Sequence, residues 1–246
     1  MKRLLVLILS LFSFSFAKEP ILVAAAANTE FAVKEIASHF EKKFNIPVKV
    51  ILSASGKLAN QIVRGAPYHI FLSADMKYPT FVYKRGYALT KPKVYAYGVL
   101  VLWTLKDIPL KKDLKFLTTS QIKKIGVPNP RLAPYGRQAV NALKYYKVYD
   151  RVRPKLIFGE SVGQTSQYIY KKLVDVGFTA KSIVLSPTLK EKGKWLEVDE
   201  KAYNPIAQGV VLLKPSKDNE NAKQFYRFIF SPEAQKIWQK YGYKVR

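Results

Sequence analysis

The chain has 246 residues, with 42 lysines and arginines against 17 acidic residues, two histidines and no cysteine, for a formal charge of +25. This length accommodates one large domain or two modest ones, and 48% hydrophobic with 13% aromatic residues exclude a disordered basic tail. The lack of cysteine excludes zinc ribbons, iron–sulfur clusters, thiol nucleophiles and disulfide frameworks, and His39 and His69 are too few for a histidine metal cage.

The chain opens as an export signal: Lys2 and Arg3 precede an apolar run from Leu4 to Phe16, too short to span a bilayer comfortably, and Ser15-Phe16-Ala17 resembles a cleavage site. Cleavage after Ala17 leaves a chain starting at Lys18 with a charge of +23 and no cysteine to carry a lipid. The expected product is periplasmic, soluble and not lipid-anchored.

Apolar runs then alternate with helical periodicity. Ile21–Ala26 reads as a buried strand, followed by an amphipathic helix marked by Val33, Ile36, Ala37 and Phe40. Val48–Leu52 predicts a strand, Leu58–Arg64 a helix and Ile70–Leu72 a strand, and a long apolar strand over Tyr95–Trp103 opens the second half. The pattern repeats with strand Lys124–Val127, helix Arg137–Tyr146, strand Leu156–Phe158, helix Gln164–Val174 and strand Val176–Phe178. Strand Gly209–Leu213 precedes two C-terminal helices, the last opened by Ser231-Pro232-Glu233, a cap residue followed by proline at the first helical position. Strands separated by helices of this length predict βαβ units, hence an α/β fold with mostly parallel sheets.

In open α/β sheets ligands sit beyond the carboxyl ends of the strands. Four such junctions share one character: Ala27-Asn28-Thr29-Glu30, Ser53-Ala54-Ser55-Gly56-Lys57, Pro128 to Gly136, and Gly159-Glu160-Ser161-Val162-Gly163. Asn28 and Ser55 read as helix caps, and Gly56 lets backbone approach a ligand. A helix start offers unpaired N–H groups and roughly +0.5 charge, so four aimed at one cavity supply about +2, enough for a dianion without lysine or arginine.

Several segments resemble periplasmic molybdate-binding proteins of ABC importers: Val23–Asn28, Ser53–Ile62, and above all Gly65-Ala66-Pro67-Tyr68-His69-Ile70-Phe71-Leu72-Ser73-Ala74-Asp75. Pro128-Asn129-Pro130, Ala133-Pro134-Tyr135-Gly136, Glu160-Ser161-Val162, Tyr203-Asn204-Pro205-Ile206 and Ser231–Ala234 continue the likeness in order along the chain. The resemblance implies a two-lobed periplasmic-binding-protein fold that is not an enzyme. The implied lobes are 18–94 plus 206–246 and 95–205, hinged near 93–97 and 203–208, with the ligand in the cleft between them. It further implies a monomer that holds molybdate or tungstate, needs no cofactor, and delivers its cargo to an importer's permease and ATPase.

Carried over by position, the implied oxyanion ligands are Asn28, Ser55, and the backbone N–H groups of Tyr135 and Val162, with Thr29, Gly56 and Thr179 as further candidates. No side chain is expected to bond the metal directly. Some relatives supply a tyrosine hydroxyl from the segment matching Gly177–Ala180, where Thr179 stands here; the asparagine in the first loop and the tyrosine in the third mark a different branch. Such an anion presents only acceptors, so the site should offer only donors. Sulfate is then rejected by size and phosphate by its proton. Lys57 reads as a solvated first-turn lysine, and Glu30 and Glu160 as first-turn carboxylates away from the anion.

Three alternatives carry less support. A tungstate-dedicated or sulfate-type binder shares the helix-start logic. A secreted polyanion or nucleic-acid binder would use pieces such as Lys144-Tyr145-Tyr146-Lys147, but the lysines are spread over the whole chain. An exported hydrolase would need Ser55, Ser73 or Ser161 as nucleophile, yet no Gly-x-Ser-x-Gly elbow exists and His69 lies in an apolar run.

Overall fold

The computed structural model describes residues 19–245; the expected signal, Met1–Ala17, lies outside them. The first half runs β1 (Ile21–Ala26), α1 (Glu30–Phe44), β2 (Val48–Ser53), α2 (Ser55–Val63), β3 (Ile70–Leu72), α3 (Lys77–Lys84) and β4 (Lys93–Gly98). The chain continues through β5 (Leu100–Thr104), β6 (Ile125–Pro128), α4 (Pro134–Tyr145), α5 (Tyr149–Val152), β7 (Leu156–Gly159) and α6 (Val162–Tyr170). It ends with β8 (Val176–Ala180), α7 (Lys181–Val184), β9 (Lys194–Glu197), β10 (Ile206–Leu212), α8 (Glu220–Phe228) and α9 (Pro232–Lys240).

These strands form two five-stranded sheets, ordered β2-β1-β3-β10-β4 and β7-β6-β8-β5-β9. In each, three parallel strands meet one antiparallel strand, β10 in the first and β5 in the second. Both sheets are covered on both faces, as parallel strands require. Ile21, Val23 and Ala25 of β1 face the core shared with α1, α8 and α9, while Ala24 faces Leu58 and Ile62 of α2. In β5, Leu100 and Leu102 face one core and Val101 and Trp103 the other, the alternation a strand imposes.

The run Tyr95–Trp103 is not one strand. It breaks at Val99: β4 pairs with β10 in the first sheet, and β5 pairs with β8 and β9 in the second. Residues 95–98, placed from the sequence in the second lobe, therefore run in the first sheet. The apolar run is continuous because both strands are buried, so no breaker marks the exchange. The return crossing precedes Ile206, which pairs with Gly98. Four elements were not foreseen: α3, the single-turn helices α5 and α7, and β9. Pro79 hides α3, and β9 is a short edge strand with charged ends. Helix α6 stops at Tyr170 instead of Val174 because Lys172 turns left-handed, at φ 55°.

His69 joins strands instead of doing chemistry. Its Nδ1 accepts the Leu22 N–H at 2.9 Å, and its carbonyl accepts the Leu213 N–H and the Ser216 hydroxyl. Burial pushes its pKa below the ordinary value, against the opposing pull of Glu19. The folded chain thus holds a neutral ring that the unfolded chain protonates first. This contribution is complete above about pH 6.5, the ordinary histidine value, and is lost as the pH falls toward the lower folded value. Thermal unfolding should show a melting temperature that drops between about pH 7 and 5, and His69→Gln should flatten that drop.

Candidate functional site

Four strand ends face the space between the sheets, and the helix starts that follow them surround a cavity of about 10 Å³. Asn28, Ser55, Ala133, Pro134, Ser161 and Val162 are in its wall, with alanines filling most of the rest. This is far below the roughly 300–1,000 Å³ of pockets that hold drug-sized molecules, so the cavity leaves room only for a very small ligand. A larger cavity, about 250 Å³, lies at the chain crossings among Tyr97, Gly98, Glu200, Tyr203 and Lys244. Its walls bring together rings and an ion pair, not convergent helix starts.

Asn28 and Ser55 do not cap helices, contrary to the sequence expectation. Asn28 sits in a 3-10 turn, Ala27–Thr29, that leads into α1; its cap position is Ala26. Ser55 is the first residue of α2, whose cap position is Ala54. Ala133 holds the same place before α4, and none of these three starts has a side-chain cap. Alanine is among the poorest caps because it satisfies no first-turn N–H. At α6 the N–H of Gln164 is instead taken by the Ser161 hydroxyl at 3.2 Å. Three of the four starts thus keep their first-turn donors free of side-chain caps.

The Ser55 oxygen, 1% exposed, accepts the Ala74 N–H at 3.0 Å, which leaves its own proton for the cavity. The Asn28 Nδ2 donates to Gln208 Oε1 and to the Tyr243 hydroxyl, both at 2.9 Å, and its carbonyl accepts from Ser182 Oγ at 2.7 Å. Val162 lies in the cavity wall at the first position of α6. Tyr135, second in α4, stands beside the wall residues Ala133 and Pro134; its ring is buried, and its hydroxyl accepts from Gln208 Nε2 at 3.3 Å. Burial raises the Tyr135 pKa well above the ordinary phenol value, reinforced by Tyr243, Tyr203 and Tyr95, so the phenol stays protonated.

The remaining candidates stand elsewhere. Thr29 hydrogen-bonds Ala26 O at 2.7 Å, and the Gly56 N–H donates to Leu132 O at 3.0 Å, tying α2 to the loop before α4. A Cβ on Gly56 would stand 2.6 Å from the Tyr78 hydroxyl. Thr179 is not in the cavity wall: its hydroxyl lies 2.6 Å from Ser166 Oγ, which bonds Val162 O beneath α6. The sequence reading missed Gln208, Tyr243, Tyr95 and Ser182. The one local signal was Gln208, a lone amide ahead of an apolar run.

Ion pairs clasp the two halves around the cavity. Asp75, beyond β3, pairs with Arg137 of α4, while the Tyr78 hydroxyl donates to Arg131 O at 2.8 Å. Lys57 of α2 pairs with Glu160 at 2.8 Å, with both side chains nearly half exposed. Such a pair is worth about 0–1 kcal/mol. Lys57→Ala should therefore change anion affinity by less than about fivefold in a titration; a larger loss would assign the anion to that charge. No lysine or arginine lies in the cavity wall. Among the described residues no group of three or more His, Cys, Asp or Glu could hold a bare metal ion. The arrangement suits a small anion held by helix ends and neutral donors.

A family model described as bacterial extracellular solute-binding protein matches residues 21–244. The chain is 35% identical over 224 residues to the molybdate-binding protein ModA of Rhodobacter capsulatus, covering 91% of this chain and 87% of that one. It is 32% identical to the molybdate-binding protein ModA of Azotobacter vinelandii, covering 91% and 89%. The solved periplasmic molybdate-binding protein of Azotobacter vinelandii superposes with a TM-score of 0.87 at 30% identity, over 92% of this chain and 99% of that one. Together with two α/β sheets that bring their helix starts to one small cavity, these matches establish that the chain belongs to the bacterial extracellular solute-binding protein family.

Proposed function

We propose that the protein captures a tetrahedral oxyanion, molybdate and with it tungstate, and hands it to the permease and ATPase of an ABC importer. The observation that carries the reading is the trio of alanine cap positions, Ala26, Ala54 and Ala133, around one small cavity. Each leaves first-turn N–H groups for a ligand at a local cost of about 0.5–2 kcal/mol relative to a good cap. Asn28, Ser55, Tyr135 and Val162 are the proposed anion ligands, the last two through backbone N–H groups. The names of the similar proteins favour molybdate among the tetrahedral anions.

In this reading the protein is an exported monomer, freed of Met1–Ala17 and carrying no lipid. Its lobes, one on each sheet, close by turning about Val99 and the segment before Ile206. The Asp75–Arg137 and Lys57–Glu160 pairs form as they close. Surface charge raises the rate at which a dianion arrives and leaves selection to the neutral cavity.

Calorimetric titration with molybdate, tungstate, sulfate and phosphate at physiological salt tests the proposal. Molybdate and tungstate should bind at about one ion per chain, the one convergence of helix starts setting the stoichiometry. Tight sulfate binding, or no binding of any tetrahedral dianion, overturns it.

A further inference from the structure

We propose that Gln208 is the positioning residue that decides which end of the Asn28 carboxamide faces the anion cavity, and so whether the cavity takes a proton-free or a proton-bearing oxyanion. The inference rests on the reading of the cavity as an anion site.

Asn28 is 1% exposed, and its Oδ1 is one of two buried side-chain polar atoms without a hydrogen-bond partner among the described residues. Its Nδ2 is held by Gln208 and Tyr243, neither of which is in the cavity wall, whereas Asn28 itself is. Oδ1 is therefore the atom left for the cavity, in an orientation that offers lone pairs. A buried acceptor of this kind is costly unless a donor meets it. A fully deprotonated dianion has no donor, but a monohydrogen anion has one.

Gln208 sets this orientation. Fully buried on β10 beside an irregularity in register at Gln208/Gly209, it presents Oε1 to both Asn28 Nδ2 and the Tyr95 hydroxyl, each at 2.9 Å. Its Nε2 reaches the Tyr135 hydroxyl. Gly98 makes room for this contact, since a Cβ there would stand 2.5 Å from Nε2. A register irregularity of this kind is a common way to re-aim a side chain.

Turning both carboxamides by half a revolution keeps every amide partner and gives up one phenol contact, from the Tyr243 hydroxyl to the Asn28 backbone carbonyl. Gln208 Nε2 then donates to Asn28 Oδ1 and to Tyr95, whose proton goes to Ser73 O, 3.3 Å away. Gln208 Oε1 accepts from Tyr135, and Asn28 Nδ2 faces the cavity as a donor; the Tyr243 hydroxyl, which donates to the Asn28 backbone carbonyl at 2.8 Å, turns its proton to Asn28 Oδ1 and leaves that carbonyl to Ser182 Oγ. The phenols permit either state, because each hydroxyl both donates and accepts. A proton-free anion selects the second state, so the two amides turn together when it binds.

The test compares molybdate with inorganic phosphate at mildly alkaline pH, where both are dianions, so that a general electrostatic change cancels in the ratio of their affinities. Gln208→Glu, which offers only acceptors toward Asn28, should lower the molybdate-to-phosphate ratio by about tenfold or more, the factor expected of one hydrogen bond to an anion. Gln208→Met keeps the length without either polar end and should lower the ratio by a smaller factor. Both substitutions should leave the ratio unchanged in an Asn28→Ala background. If Gln208→Glu does not fold, as judged by circular dichroism, the methionine variant and its double mutant decide. A wild-type ratio in folded Gln208 variants, or an equal fall in the Asn28→Ala background, overturns the role of Gln208 and leaves the anion site standing. A wild-type protein that binds no dianion overturns both.

Discussion

Gly136→Ala should weaken anion capture about a hundredfold and lower the melting temperature together. A Cβ at this position would lie 1.8 Å from Pro128 O, 2.7 Å from Pro128 C and 3.0 Å from Pro130 N. All three are backbone atoms, so no side chain can turn away to make room. The first turn of α4 must lift from the loop that leads out of β6, taking with it the Tyr135 N–H and the Pro134 wall. Overpacking of this kind costs about 1–3 kcal/mol, occasionally more, which for a chain of this size is a fall of roughly 2–12 °C. Affinity should fall by about a hundredfold, as for the loss of two or more donors to a charged ligand. Gly163→Ala is the control, since its added Cβ would meet Ala27 Cβ at an ordinary 3.5 Å. Calorimetry and thermal unfolding of the two variants check this; wild-type affinity in folded Gly136→Ala would remove α4 from the site.

Ser55→Ala should separate binding from stability. Its hydroxyl oxygen is engaged by the Ala74 N–H, and Ser55 stands in the cavity wall with its proton free to donate. Loss of one hydrogen bond to a charged partner is worth about 1.5–3 kcal/mol, roughly a tenfold to hundredfold fall in affinity. The Ala74 N–H loses its acceptor as well, which lowers stability by about 1 kcal/mol, a shift of only a few degrees. Ser55→Thr, which retains the hydroxyl, should keep more of the affinity than Ser55→Ala does. Equal affinity of Ser55→Ala and the wild type in a molybdate titration would remove the hydroxyl from the anion's partners.

The parts of the fold written as local contrast were legible in the sequence. Ile21–Ala26 and Ile70–Leu72 are strands at the expected bounds: the first follows Pro20, and the second is an apolar run between His69 and Ser73. Val99 was not legible as a crossing: the chain exchanges one buried sheet for another there, and hydrophobicity reports burial without saying in which sheet. The helix starts around the cavity could be read as junctions, yet the sequence misassigned their chemistry. Ser55 and Asn28 have cap-forming side chains, but tertiary partners claim them. Those partners lie far away in the chain, with Gln208 180 positions and Tyr243 215 positions from Asn28. No spacing rule reaches that distance, so the amide and phenol network behind the cavity becomes visible only in three dimensions. Lys57 and Glu160 were each read as solvated ends of separate helices, and the fold makes them a pair.

The alanines at positions 26, 54 and 133 also bear on how this protein can be made more heat-resistant. Cap preference alone would nominate all three for serine or aspartate, and on an isolated helix such changes raise stability. Here each new oxygen would be aimed at the N–H groups around the cavity, and an aspartate would add a negative charge to a place built for an anion. All three alanines are buried, so the variants would capture less, and heat resistance has to be sought on the surface instead.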